Sequence, residues 1–188
     1  MADHPWIAIS LFEGDRWRVE EWTSAFPSLS LSDTQSPELI AMIGGSAKSK
    51  LLRELIATHA VSQLGPHSTV HLWAEPRSYQ WDTPRIFLDC ELHRERLSMT
   101  QQHHAKKLPK RHRDISWAGQ YGHAEIAHIL YNRVLAPLSS VVCYFASDLG
   151  GLRGVAKLLA QLLIFDMPGN RLRPDALPRA LIVVDTSS

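Results

Sequence analysis

The sequence predicts an α/β fold, a mainly parallel sheet with helices on both faces. Apolar runs of strand length recur along the chain: ELIAMI at 38–43, RIFLDC at 85–90, SVVCYFA at 140–146 and ALIVVD at 180–185. Continuous apolar runs suit strands buried on both sides, as in parallel sheets. Between them lie segments of helical period, such as 151–165 with Leu152, Val155, Ala156, Leu159 and Leu162 on one side. At 38–64 a strand, a Gly-Gly turn and a helix follow one another, which is how an α/β unit opens.

Taken in order, residues 6–12 read as a short strand or a hydrophobic arm. Residues 15–25 set Trp17, Val19 and Trp22 among charges, and a short amphipathic helix is expected there. Residues 26–37 are Ser- and Pro-rich without periodicity and read as a linker. Residues 1–37 are thus expected to be an arm, a short helix and a linker ahead of a domain over 38–188. Within that domain TVHLWA at 69–74 alternates as a strand, and the polar, basic stretch 91–117 reads as a long loop. A helix is expected over 120–135, stopped at Pro137, and the run 180–185 is the last strand. An α/β sheet of this kind normally carries a further loop and helix after such a strand, so a C-terminally truncated domain is expected.

Composition narrows the function classes. The 188 residues are 45% apolar and 21% charged, an ordinary globular balance, and the net charge of +1 supplies no global field toward nucleic acid or anionic membrane. No secretory signal pattern and no run near ~20 apolar residues occurs, so a soluble cytoplasmic protein without a transmembrane segment is expected. Cys90 and Cys143 lie inside apolar runs and read as buried free thiols.

The candidate site is the turn after the first apolar run. A phosphate cradle needs backbone N–H groups converging at a helix start, a lysine for the outer phosphates and a hydroxyl for the metal. Gly44, Gly45, Ser46, Ala47, Lys48 and Ser49 supply these residue types. The match to G-x-x-x-x-G-K-[ST] is incomplete: Ala47 stands where glycine precedes the lysine, and the loop is two residues short, which puts Met42 at the first glycine position. An ordinary Gly-Gly-Ser turn, with Lys48 and Ser49 as solvated first-turn residues, is the alternative. Asp89 closes the run IFLD, where an acid can hold Mg²⁺ or its water shell.

The segments PELIAMIGGSAKSKLLREL, TVHLWAEP, TPRIFLDCE, SSVVCYFASD and LPRALIVVDTSS, in that order over 37–188, resemble the large P-loop GTPase-like proteins of filamentous fungi. Some of those carry a patatin-like phospholipase region elsewhere in a longer chain. The resemblance implies a three-layer P-loop NTPase-like domain. By position Lys48 would be the phosphate lysine, Ser49 the metal hydroxyl and Asp89 the second-shell metal acid, with Mg²⁺ and GTP or ATP as ligands and further domains of a longer protein as partners. Two departures stand out. Leu92 occupies the place of the D-x-x-G glycine, and Asp185-Thr186-Ser187-Ser188 lacks the lysine and final acid that read guanine. Guanine selectivity is unsupported, and little or no hydrolysis is expected. An interaction module that kept the fold and lost the ligand is the alternative, and a fragment of a patatin-like lipid acyl hydrolase is a third reading.

Other constellations carry less. Asp148-Leu149-Gly150-Gly151-Leu152-Arg153-Gly154 resembles the oxyanion loop of patatin-like lipid acyl hydrolases, but no G-x-S-x-G nucleophile elbow occurs, so a glycine-rich turn into a helix is expected. His123 and His128 are five apart on a helical segment and face different ways, while His103 and His104 sit in a polar stretch without other ligands. The run Lys106, Lys107, Lys110, Arg111, His112, Arg113 has no interleaved aromatics and reads as a solvated loop, which makes nucleic acid an unlikely partner.

Overall fold

Eight strands form one sheet in the computed structural model, which describes residues 4–12, 16–56, 69–91, 110–116, 119, 121–164 and 178–184. They are β1 (His4–Phe12), β2 (Arg16–Trp22), β3 (Glu38–Ile43), β4 (Thr69–Ala74), β5 (Arg85–Cys90), β6 (Lys110–Ile115), β7 (Val141–Phe145) and β8 (Arg179–Val183). Their spatial order is β6-β2-β1-β4-β5-β3-β7-β8. The apolar runs expected to be strands are strands, and β5, β3, β7 and β8 pair in parallel, but β8, expected as a buried strand at 180–185, is largely exposed because it lies at the rim of the sheet.

The sheet as a whole is mixed rather than mainly parallel. β4 joins β5 antiparallel, and β1, β2 and β6 extend the sheet from β4 by antiparallel pairing. The cause lies in the connections. Residues 75–84 link β4 to β5 and are too few for the crossover that a parallel neighbour needs.

Two local expectations are also corrected. The expected amphipathic helix at 15–25 is strand β2, in register with β1 through Ile9 opposite Val19 and Leu11 opposite Trp17. Trp17 and Val19 alternate, and over so short a segment the partner strand decides between the two periods. Trp17 is buried, and its indole N–H donates to the Tyr121 carbonyl at 3.1 Å. The expected loop at 91–117 contains β6, which pairs with β2 from Trp17–Ile115 to Trp22–Lys110. Charges join one apolar contact in this pairing: Ile115 lies opposite Trp17 and packs against the core, while Arg18 Nε donates to Asp114 at 2.7 Å and Lys110 Nζ to Glu20 at 2.8 Å. Arg111, His112 and Arg113 are exposed on this strand, whereas His103, His104, Lys106 and Lys107 lie outside the described residues.

Alternation along the central strands divides the core in two. Ala41, Ile43, Leu72, Ile86, Leu88, Val142 and Tyr144 face one side. There they meet Ile126, Ala127 and Tyr131 of the helical stretch that begins with α2 (His123–Leu130), and Val155 and Leu158 of α4 (Gly151–Ile164). Met42, Trp73, Phe87, Cys143 and Phe145 face the other side against Leu52 and Ile56 of α1 (Ser46–Ile56). Helices therefore cover both faces. After α2 the chain makes a π-helical turn, Tyr131–Leu135, and a last helical turn, α3 (Ala136–Leu138), so Pro137 lies within the helical stretch rather than beyond it. No helix among the described residues is long and apolar enough to cross a membrane.

Candidate functional site

Parallel pairing brings the carboxyl ends of β5, β3 and β7 side by side, with Cys90 opposite Ile43 and Ile43 opposite Tyr144. In open α/β sheets this end of the strands is where ligands bind. Gly44 and Gly45 follow β3 here, and α1 starts at Ser46. Gly44 is required by space rather than by dihedral angles. A Cβ on it would lie 2.8 Å from Asp148 Oδ2 and 2.8 Å from Phe145 Cβ.

Asp148 occupies the loop. It belongs to a 3₁₀ turn, Ala146–Leu149, that follows β7. Its Oδ2 accepts from the Gly45 amide at 2.6 Å and the Lys48 amide at 3.0 Å. Its Oδ1 accepts from the Ala47 amide at 3.1 Å and the Ser46 hydroxyl at 3.1 Å. Partial burial raises the carboxyl's pKa, but the hydrogen bonds from Lys48, Ala47, Gly45 and Ser46 outweigh it and hold the group below the usual aspartate range. No acidic residue stands in the first turn of α1, so the negative charge that complements its N-terminus comes from Asp148.

Lys48 lends this cluster its amide and sends its side chain elsewhere. The side chain is fully buried, and Nζ pairs with the Asp89 carboxylate. The contact to Asp89 Oδ1 is an ion pair rather than a well-directed hydrogen bond. Nζ also donates to the Cys90 carbonyl at 3.3 Å and lies 3.5 Å from Glu91 Oε1. Burial pushes the Cys90 thiol up to about 12, against the opposing pull of Lys48, so it stays protonated at neutral pH.

The six loop residues are thus brought together, with Gly44 against the Asp148 carboxylate, Gly45, Ser46, Ala47 and Lys48 donating to it, and Ser49 one turn on. Ser49 donates its hydroxyl back to the Gly45 carbonyl at 2.8 Å. In this arrangement Ser49 and Asp89 are each engaged with protein partners, and holding Mg²⁺ would require both to exchange them. Among the described residues no group of three or more His, Cys, Asp or Glu is placed to hold a metal ion.

The glycines after Asp148 serve a turn. Gly150 and Gly151 take positive φ of 83° and 78° into α4. A Cβ on Gly154 would lie 1.7 Å from the Leu149 carbonyl oxygen, so close packing of the turn on the helix accounts for that glycine. His123 packs against Trp17 with ring centroids 5.6 Å apart, and burial lowers the pKa of His128. An open groove lined by Leu29, Ala74, Tyr79 and Trp81 lies by the start of β5, at the opposite end of the sheet from Gly44.

Asp148 is the site residue that sequence reasoning missed. It appears there only as the head of a glycine-rich turn, and its role follows from the parallel pairing of β3 with β7. No protein-family model matches the chain, and no curated protein matches it significantly.

Proposed function

We propose that this chain is a degenerate P-loop GTPase-like domain that binds or senses a nucleotide and hydrolyses little or none. The carrying observation is the convergence of three backbone amides and the Ser46 hydroxyl on one carboxylate at the end of β3. Such a nest of fixed donors at a helix start suits an oxyanion, and a phosphate presents oxygens of the same kind. The parallel β5-β3-β7-β8 half of the sheet supports the reading, as does Asp89 on the strand beside the loop. Ser49 and Asp89 are the residues proposed to hold the Mg²⁺ that accompanies GTP or ATP, and Lys48 the outer phosphates.

Low turnover follows from positioning, which is nearly all that a phosphoryl-transfer enzyme supplies. The loop is short, Lys48 is drawn to Asp89, and a leucine stands where a hinge glycine would lie. Calorimetric titration with GTP and with ATP, each with and without Mg²⁺, tests binding. A phosphate-release assay against a Lys48→Ala control tests turnover. Weak binding without turnover is expected. Mg²⁺-dependent release that disappears in the control would overturn the low-turnover reading.

A second reading is an interaction module that has lost its ligand. It is favoured by the same Asp148 carboxylate, which fills the loop, and by the complete burial of the Lys48 side chain. Folded protein that takes up neither nucleotide at millimolar concentration would select it.

A further inference from the structure

We infer that Asp148 is a resident anion that competes with phosphate for the β3–α1 loop, so that ligand enters only when the 146–149 turn withdraws. This rests on the nucleotide-binding reading and concerns regulation of the same site.

Every hydrogen-bond donor that the described residues offer the Asp148 carboxylate belongs to the loop itself: Gly45, Ser46, Ala47 and Lys48. A phosphate oxygen seeking those amides would meet a carboxylate already there, with like charge at hydrogen-bond distance. Space excludes it as well. Even one added carbon at Gly44 would come within 2.8 Å of both Asp148 Oδ2 and Phe145 Cβ. The two cannot share the loop.

The carboxylate is carried on a short turn bounded by a fixed strand and two glycines. It sits between β7, locked by parallel pairing to β3 and β8, and the paired left-handed glycines Gly150 and Gly151, beside which a Cβ would meet nothing within 4 Å. Withdrawal would take a change of dihedral angles at these glycines and would part the Leu149 carbonyl from its close packing on Gly154. Withdrawal of Asp148 would also leave Lys48 beside an anion site, with a phosphate to attract it away from Asp89. In the closed state Asp148 is therefore held by the loop's donors and Lys48 by Asp89.

A closed state lowers apparent affinity by the fraction of molecules that are open. If about a tenth or fewer are open, Asp148→Asn should bind GTP about tenfold tighter or more than the parent protein. Calorimetry on the full chain reads this, with circular dichroism confirming the fold and pyrophosphate as a second probe. Asp148→Ala repeats the test should the asparagine amide crowd the loop donors. In the parent, saturating GTP should shift the ¹³C resonance of the Asp148 carboxyl as it leaves the amides. Equal GTP affinity in the parent and folded variants, or an unmoved carboxyl resonance, would overturn the inference and leave the nucleotide reading standing. Tighter binding of pyrophosphate with no preference for GTP would support the resident anion and refute the nucleotide. No binding of either probe by a folded variant would sink both.

Discussion

Replacing Lys48 with methionine isolates the buried ion pair at the end of β5. The substitution keeps the volume of the aliphatic stem, so no large cavity opens and the effect is electrostatic. What remains is the Asp89 carboxylate, with its side chain only 8% exposed, and Glu91 at 12%, both without their cation. The Cys90 carbonyl also loses a donor. Removing one partner of a buried pair typically costs about 3–5 kcal/mol, because the other charge stays in a poorly solvated place. At roughly 2–4 °C per kcal/mol for a chain of this size, the melting midpoint should fall by about 6–20 °C. Thermal and urea melts of the parent, Lys48→Met, Asp89→Leu and the double variant form a complete cycle. The double variant should recover the part of the loss that Asp89 causes, since a buried pair exchanged for apolar groups is often neutral, with Glu91 still left without its cation. A single-variant loss below about 1 kcal/mol, or a double-variant loss equal to the sum of the singles, would refute the reasoning. The result also governs the nucleotide assays, because binding lost in any Lys48 variant reports on the ligand only where the variant is still folded.

Three further outcomes are expected. Asp148→Asn should cost about 1 kcal/mol at neutral pH, a capping value discounted for the solvent around a half-exposed carboxylate. The folded carboxyl lies below its unfolded range, so this stabilisation is complete above the unfolded value and is lost as pH falls through the folded one; parent and variant melts should converge in acid, and a gap that persists there would point to packing instead. Gly44→Ala should lower stability by about 1–3 kcal/mol, since its Cβ meets Phe145 and Asp148 at 2.8 Å, and an unchanged midpoint would mean that the 146–149 turn yields freely. Cys90 and Cys143 are free and buried with raised thiol pKa values, so a thiol reagent at mildly alkaline pH should label them only after denaturation; rapid labelling of native protein would contradict their burial.

How far the sequence was readable depends on where each signal sits. β3, β5 and β7 are buried on both faces, so their apolar runs mark them directly, and β4 shows through its alternation. β6 carries Lys110, Arg111, His112, Arg113 and Asp114, and its one apolar residue, Ile115, stands at its end, too little to mark a strand. Its strand state comes from pairing with β2, which no local pattern encodes. β2 is legible only in retrospect, because Trp17, Val19 and Trp22 fit a helix face about as well as an alternating strand. At the site, residue types were legible and geometry was not. Glycines, a lysine and a hydroxyl mark the loop, but the direction of the Lys48 side chain depends on Asp89 and Glu91, far along the chain. Asp148 is more distant still, and reaches the loop only because β7 lies beside β3.

The two rims of the sheet differ in kind, and this bears on how copies of the chain meet. β6 forms one rim and bears a row of cationic side chains, which discourages another strand from docking there. β8 forms the other, and Leu181 and Ile182 are 53% and 43% exposed, with Val184 just beyond it at 55%. Among the described residues no strand pairs with the outer side of β8, and the apolar side chains on both sides of it favour one that would. Two molecules joined rim to rim at β8 would each present only the cationic rim outward. A lysine placed at Leu181 would guard this rim as the cations of β6 guard the other.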